Sequence, residues 1–378
     1  MSNKIIETII IGAGISGLSC GRRLNQFNKE FLIVSIDIGG RILTSKDGSV
    51  NYGAFFVCSD YKNILKFVKL KNRIKLSDFF FHDKDKSFFL FEPKMIFYIY
   101  QFIKLLKIQY KFRKELRKLR LECETKSQKN VIQKNQYLKK LYMKDATDFI
   151  KENKIKEITK LYLSKALYST TFSDISEMNA FSFLQFLLPL ITPIYTFTFQ
   201  KDKMIESFKN KIIIDRIDEI KYKNNIYELK SDKNIYHCKN LVLATPITFS
   251  KKFSNIKKVN KPIDTNMLHI KGNLKKIYKK KKYHLFYPYN EIQAIADLND
   301  GTYLTYYRKK ITNLDKYFVD YDIIFGHNWS PAGTINGHFL IESNRGNNMY
   351  IIGDYNIAGL EETYLTGIFA ANNIIRSK

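Results

Sequence analysis

The chain has 378 residues, 45% hydrophobic and 26% charged, a globular composition that excludes a disordered polymer and leaves room for two domains and a large core. Its formal net charge of +27 suits nucleic acid, a membrane surface or an acidic ligand, but the lysines are spread along the chain among abundant Ile, Asn and Tyr, the mark of an AT-rich coding bias, so no specific nucleic-acid partner is expected. Cys20, Cys58, Cys123 and Cys238 lie far apart with no zinc-type spacing, which predicts no metal site and a reducing compartment.

The first predicted element is a buried β-branched strand over 5–11 that runs into Gly12-Ala13-Gly14-Ile15-Ser16-Gly17 and then a helix. A core strand this early leaves no room for a signal peptide, so a cytoplasmic location is expected. In a Gly-x-Gly-x-x-Gly turn the first glycine permits the sharp bend, the second lets backbone approach a pyrophosphate, and the third lets helix and strand pack closely. The phosphates would rest on the free N–H groups of Ala13 to Gly17, at the positive end of the helix dipole. A second strand, Phe31-Leu32-Ile33-Val34, arrives on schedule, and Gly39-Gly40-Arg41 follows. The glycines alone leave NAD and FAD undecided.

With Gly39-Gly40-Arg41-Ile42-Leu43-Thr44 and Val50-Asn51-Tyr52-Gly53-Ala54 the chain resembles the flavin amine oxidase superfamily, which includes monoamine and polyamine oxidases, protoporphyrinogen oxidase, carotenoid desaturases and renalase-like enzymes. The resemblance implies that the Gly39-Gly40-Arg41 loop passes an FAD pyrophosphate and that Arg41 holds it; a guanidinium matches a diphosphate in charge and fork geometry. The family's ribose-binding acid falls at Ser35, with Asp37 as the alternative contact from a shortened loop, and its usual Asp in the Gly-Ala segment is Asn51.

Residues 61–170 read as mostly helical. Within them 88–120 is aromatic and basic, with Phe97, Tyr98 and Tyr100 followed by lysines and arginines from Lys104 to Arg120. Two readings stay open: peripheral contact with an anionic membrane, or an ordinary helix with a solvated basic face. Residues 126–140 read as a loop or a frayed helix end, 144–167 as helix and 170–177 as a polar break. The stretch 178–200 carries no charge, but Pro189 and Pro193 break it and Thr196, Thr198 and Gln200 alternate with aromatics, which predicts a buried helix over 180–188 and then a strand instead of a membrane span.

A strand is expected over 212–220, where the resemblance makes Ile217 a backbone contact to adenine, and paired strands over 226–229 and 235–238. Asn240-Leu241-Val242-Leu243-Ala244-Thr245-Pro246 is the second family marker, an apolar strand ended by a proline that cannot donate to the ladder. Period-two alternation in 266–310 predicts an antiparallel sheet, and the six lysines of 275–282 a solvated turn. The third marker closes the chain: Ile351-Ile352-Gly353-Asp354, then Gly359 to Gly367, then a terminal helix. By resemblance Asp354 meets the ribityl and pyrophosphate region, and the N–H groups of Thr363, Tyr364 and Leu365 face the flavin pyrimidine, stabilising negative charge on the reduced ring.

Three ordered markers imply an α/β fold: a Rossmann-type FAD domain from 1–60, 201–265 and 345–378, with an inserted α+β substrate domain from 61–200 and 266–344. They imply hydride transfer from an organic small molecule, most simply an amine, to flavin N5, with O2 or another acceptor reoxidising the flavin. The cofactor carries that chemistry, which accounts for the lack of a Ser/His/Asp constellation. Candidate catalytic residues are His269 and Lys271, on the strand after the second marker, and Trp329 and Tyr364 as an aromatic pair. Members of the resembled family with covalent flavin attach it through a cysteine shortly before the last motif; no cysteine follows Cys238, so the resemblance implies non-covalent FAD. Two other readings stand beside this one: C–C or porphyrin-type oxidation at a membrane surface, and a flavin-binding protein without turnover.

Overall fold

The computed structural model describes residues 4–83, 86–89, 92–279 and 281–377. Leu90 and Phe91 of the 88–120 segment and Lys280 of the lysine-rich turn lie outside them. The organising sheet forms where the apolar runs predict it. Strand β1 (Ile5–Gly14) feeds helix α1 (Ile15–Gln26), which returns to strand β2 (Phe31–Gly39). Ile9, Ile10, Ile33 and Val34 have no solvent exposure, as expected for a central parallel sheet covered on both faces. The sheet order is Ile212–Ile214, β2, β1, Ile235–Leu243, Ile226–Ser231, Ile217–Lys223, with Met349–Ile351 also paired to Ile235–Leu243. The chain thus enters this sheet from its beginning, its middle and its end.

The terminal helix (Leu360–Arg376) packs on α1. Their approach is close because Gly367 has no side chain: a Cβ there would stand 2.1 Å from Ser19 Oγ and 2.2 Å from the Ser16 carbonyl. Ser19 Oγ also donates to the Tyr364 carbonyl at 2.8 Å, tying the two helices by a buried hydrogen bond.

A second seven-stranded sheet runs Phe318–Asn336, Lys261–Leu274, Thr302–Tyr307, Ala294–Asp297, Tyr283–Phe286, Phe79–Asp83, Lys86–Phe89. It is antiparallel except where Tyr283–Phe286 meets Phe79–Asp83. Three short strands, Val57–Cys58, Ile194–Phe199 and Val68–Ile74, form a small sheet. Phe197 and Phe199 from it share a core with Ile10, Ile33 and Val242 of the first sheet.

A helical layer begins with α2 (Ile99–Glu122). Phe102, Leu105, Gln109, Phe112, Leu116 and Leu119 repeat every three or four residues and are its buried stripe. Burying each large apolar member contributes roughly 1.5–3 kcal/mol. Among the described residues no helix is long and apolar enough to cross a membrane. The uncharged 178–200 stretch is instead a helix, Ala180–Phe186, and the strand Ile194–Phe199.

Several local expectations need correction. The described residues of 61–98 form no α-helix, only strands and short 3-10 turns at Ile64–Phe67, Leu76–Asp78 and Pro93–Tyr98; Phe79-Phe80-Phe81-His82 pairs with 283–286, a long-range partner that outweighs local propensity. Residues 126–140 are neither a loop nor a frayed helix end. Ser127 caps the helix Gln128–Lys134 by accepting the Asn130 N–H, and Asn135 caps Gln136–Tyr142 by accepting from Tyr137 and Leu138. The 144–167 helix is interrupted at Asn153-Lys154, where Lys154 takes a positive φ. The 212–220 strand is two strands that turn at Asp215-Arg216, and the strand expected over 235–238 runs on into the second marker as one strand, Ile235–Leu243.

Candidate active site

The cradle is built by the three glycines, each in a different environment. Gly12 sits at φ +106°, and a Cβ there would lie 2.6 Å from the Ala244 carbonyl oxygen. At Gly17 a Cβ would lie 1.9 Å from the Gly12 oxygen. At Gly14 it would meet nothing within 4 Å. Packing therefore demands the outer two glycines, and the middle one borders open space at the start of α1. The first turn of α1 has no acid to compete for an incoming phosphate. Ile15, Ser16 and Gly17 supply that turn, and Ser16 is buried.

β2 brings the next motif to the same place. Ala13 pairs with Ile38 and Gly14 with Gly39, and a Cβ on Gly40 would stand 3.2 Å from Gly14 Cα. Ser35 is buried, and its hydroxyl oxygen accepts the Ala13 N–H at 3.0 Å. That bond takes the Ala13 amide, which the phosphate expectation left free. Asp37 is exposed two residues on. Ile217 is buried and opens the strand beyond Asp215, whose N–H donates to the Ser35 carbonyl at 2.9 Å.

Arg41 and Asp354 lie far apart in sequence and meet in a two-pronged ion pair of 2.7 and 2.6 Å, while Arg41 also donates to the Ala332 carbonyl at 3.0 Å. Burial works against the guanidinium charge, and the Asp354 carboxylate more than offsets it. Arg41 is thus oriented by protein, where the sequence placed it on the diphosphate alone. Gly353 donates its N–H to Thr366 Oγ1 at 3.0 Å, which fixes the Gly353-Asp354 turn against the terminal helix.

The terminal helix opens earlier than the motif suggested. Gly359 is its N-cap at φ +125°, and Thr363 N–H already bonds the Gly359 carbonyl at 3.0 Å. The N–H groups at the open end belong to Leu360, Glu361 and Glu362, not to Thr363, Tyr364 and Leu365. The two acids of this turn are anchored differently. Glu361 accepts from the backbone N–H of Lys62, Asn63 and Ile64 and from Asn63 Nδ2, at 2.9–3.1 Å. Glu362 is fully buried and pairs with Arg120 at 2.7 Å.

Beside this helix start lies a cavity of about 280 Å³. One end is formed by Gly53-Ala54 and Ala358-Gly359-Leu360; the walls carry rings, among them Phe56, Phe79, Phe172, Phe186, Tyr283 and Tyr306. Arg120 is its one charged lining side chain among the described residues. Burial opposes the Arg120 charge, but the Glu362 and Asp60 carboxylates hold it on. Arg120 Nη1, Asp60 Oδ1 and Glu362 Oε2 are buried without a hydrogen-bond partner among the described residues.

None of the four catalytic candidates lines this cavity. Lys271 is exposed on its strand. His269 is buried between Tyr52 Oη at 3.3 Å and Thr302 Oγ1 at 3.0 Å, and burial lowers its pKa. Trp329 packs behind the floor, where a Cβ on Gly53 would come 3.5 Å from its ring. Tyr364 turns its ring onto Phe67, with centroids 6.2 Å apart. Arg120, Tyr306 and Tyr61 were not singled out from sequence; the only signal for Arg120 was a charge at a buried position of the α2 stripe.

Residues 10–69 match a family model described as an NAD(P)-binding Rossmann-like domain. No curated protein matches the sequence. Among solved structures, a double mutant of putrescine oxidase is 10% identical over 98% of this chain and 99% of its own, with a TM-score of 0.67. The chain shares its fold. Cyclohexylamine oxidase from Brevibacterium oxydans IH-35A has the same architecture at 13% identity, 98% of both chains and a TM-score of 0.64. So does a CLA-producing fatty acid isomerase from P. acnes, at 14% identity, full coverage of both chains and a TM-score of 0.71. Oxidases and an isomerase therefore share one scaffold, and the reaction is decided by the site.

Proposed function

We propose that the chain is an FAD-dependent oxidoreductase that oxidises an organic substrate held in the aromatic cavity. The observation that carries this reading is the convergence of the Gly14 cradle, the Arg41–Asp354 pair and the Gly359 helix start, three distant motifs that follow the C-terminal ends of parallel strands in one sheet. The residues fit the group. Gly14 leaves backbone open to a diphosphate, Gly40 lets the second loop pack against Gly14, Ser35 or Asp37 would take the ribose end, and the cavity adjoins the helix start that would face the flavin ring. When bound, FAD supplies two-electron chemistry by accepting a hydride at N5. The protein's part is to orient the substrate, exclude water with the ring-lined walls, and present N–H dipoles at Leu360–Glu362 to developing negative charge.

Non-covalent attachment fits Cys58, the cysteine on the cavity wall. Burial pushes its thiol up to about 12, leaving a poor nucleophile. Acid precipitation should release the flavin into the supernatant.

Within this class an amine is the first substrate reading, because ring faces stabilise an alkylammonium on its way to the flavin. A neutral apolar substrate undergoing C–C oxidation is the second, favoured because among the described residues the cavity's one lining charge is Arg120 and no carboxylate lines it. Anaerobic bleaching of the flavin separates them. Reduction by a panel of primary and secondary amines, with peroxide release in air, supports the first. Reduction only by uncharged polyenes or porphyrinogens supports the second. Reduction by neither class removes the oxidoreductase reading.

A further inference from the structure

We propose that the face formed by residues 94–114 docks onto the surface of an anionic lipid bilayer. Ile96 is 70% exposed, Phe97 81%, Ile99 53%, Tyr100 71% and Ile103 46%, a run of large apolar side chains turned to solvent. The segment is not loosely attached. Met95 and Tyr98 pack on the main helical core, and Phe102 and Leu105 are buried in the α2 stripe, so their neighbours are held outward. Such a concentration of exposed rings marks an interaction surface.

What surrounds the rings names the occupant. Tyr100, Ile103, Lys107, Tyr110 or Lys111, and Lys114 recur at helical spacing along the exposed face of α2. Between Pro93 and Lys114 there is no Asp or Glu. Rings at one end and cations along the rest match the acyl boundary and the anionic headgroups of a bilayer. A second copy is disfavoured: a two-fold contact would set this lysine row against itself with no acid to answer it. The contact is peripheral, since α2 is interrupted by lysines throughout. Arg120, at the cavity, is about 30 Å along the helix from Ile99, so the docking face can be altered without touching the cavity.

The test is co-sedimentation of the full chain with vesicles of phosphatidylcholine alone and of phosphatidylcholine with phosphatidylserine at about 2:1. Phe97→Ser/Tyr100→Ser and Lys107→Glu/Lys111→Glu are compared, with far-UV circular dichroism as the fold control and sedimentation velocity without lipid. The native chain should bind the phosphatidylserine vesicles, lose that binding as salt rises, and bind phosphatidylcholine far more weakly. Each double variant should lower partitioning about tenfold or more. Equal binding to both vesicle types, no binding, or variants that partition like the native chain would overturn the proposal. So would a lipid-free dimer that the ring variant dissociates, which would make the occupant a second copy.

Discussion

Gly14 and Gly17 stand three positions apart and have opposite tolerances. A Cβ at Gly17 strikes backbone, so Gly17→Ala should cost about 1–3 kcal/mol in urea unfolding. Gly14→Ala should leave stability within about 0.5 kcal/mol and weaken flavin retention instead. Glu362→Ala removes the nearer of the two carboxylates paired with buried Arg120, leaving only Asp60 at 3.5 Å, and should destabilise the fold by about 2–4 kcal/mol in the same assay. A histidine pair supplies a pH dependence. His82 Nε2 and His284 Nδ1 lie 2.9 Å apart, and burial lowers their pKa values from 6.5 to about 3 and about 4, with His284 adding to the shift of His82. Both folded values are depressed, so the unfolded chain takes up protons first. Stability is full above about pH 6.5 and is lost as pH falls towards the folded values. The Tm of the native chain should fall between about pH 7 and 4, and His82→Gln/His284→Gln should fall less over the same window. At this scale the sequence was legible where chemistry is backbone-borne, as at Gly12 to Gly17. It was not legible where a side chain's target is set by distant strands, as for Lys271 and Tyr364.

Elements were readable where their ends are signalled locally. β1, α1 and β2 follow from apolar runs and glycines, and the strand after Pro193 follows from its alternation. The helices of 128–142 were missed because Ser127 and Asn135, typical loop residues, act as caps. The strand Phe79–Asp83 was missed because its partner in the larger sheet, Tyr283–Phe286, lies some 200 residues away, and Lys86–Phe89 was missed with it because it pairs back onto that strand. The start of the terminal helix was misplaced because its cap is a glycine rather than Ser or Asp, with Glu361 and Glu362 turned to tertiary partners. Packing of that helix on α1 rests on Gly367. Gly367→Ala would drive a Cβ into Ser16 and Ser19 and should lower stability by about 1–3 kcal/mol while loosening the Gly353-Asp354 turn through Thr366. Thermal unfolding and flavin content should fall together.

At the scale of the whole molecule the sheet gathers segments from both ends and the middle of the chain, and the order of the three motifs made that topology legible. The cavity was not legible, because its walls come from segments spread between Gly53 and Leu360 that only tertiary packing brings together. The central claim is that this convergence binds FAD through the Gly14 cradle. Its direct measurement is the visible spectrum and extractable flavin of the purified chain beside Gly14→Asp, with circular dichroism matching their folds. The native chain should absorb at about 450 nm and carry near-stoichiometric FAD, and the folded variant should carry little. A native chain that takes up no FAD, or a Gly14→Asp variant that retains it in full, would contradict the account.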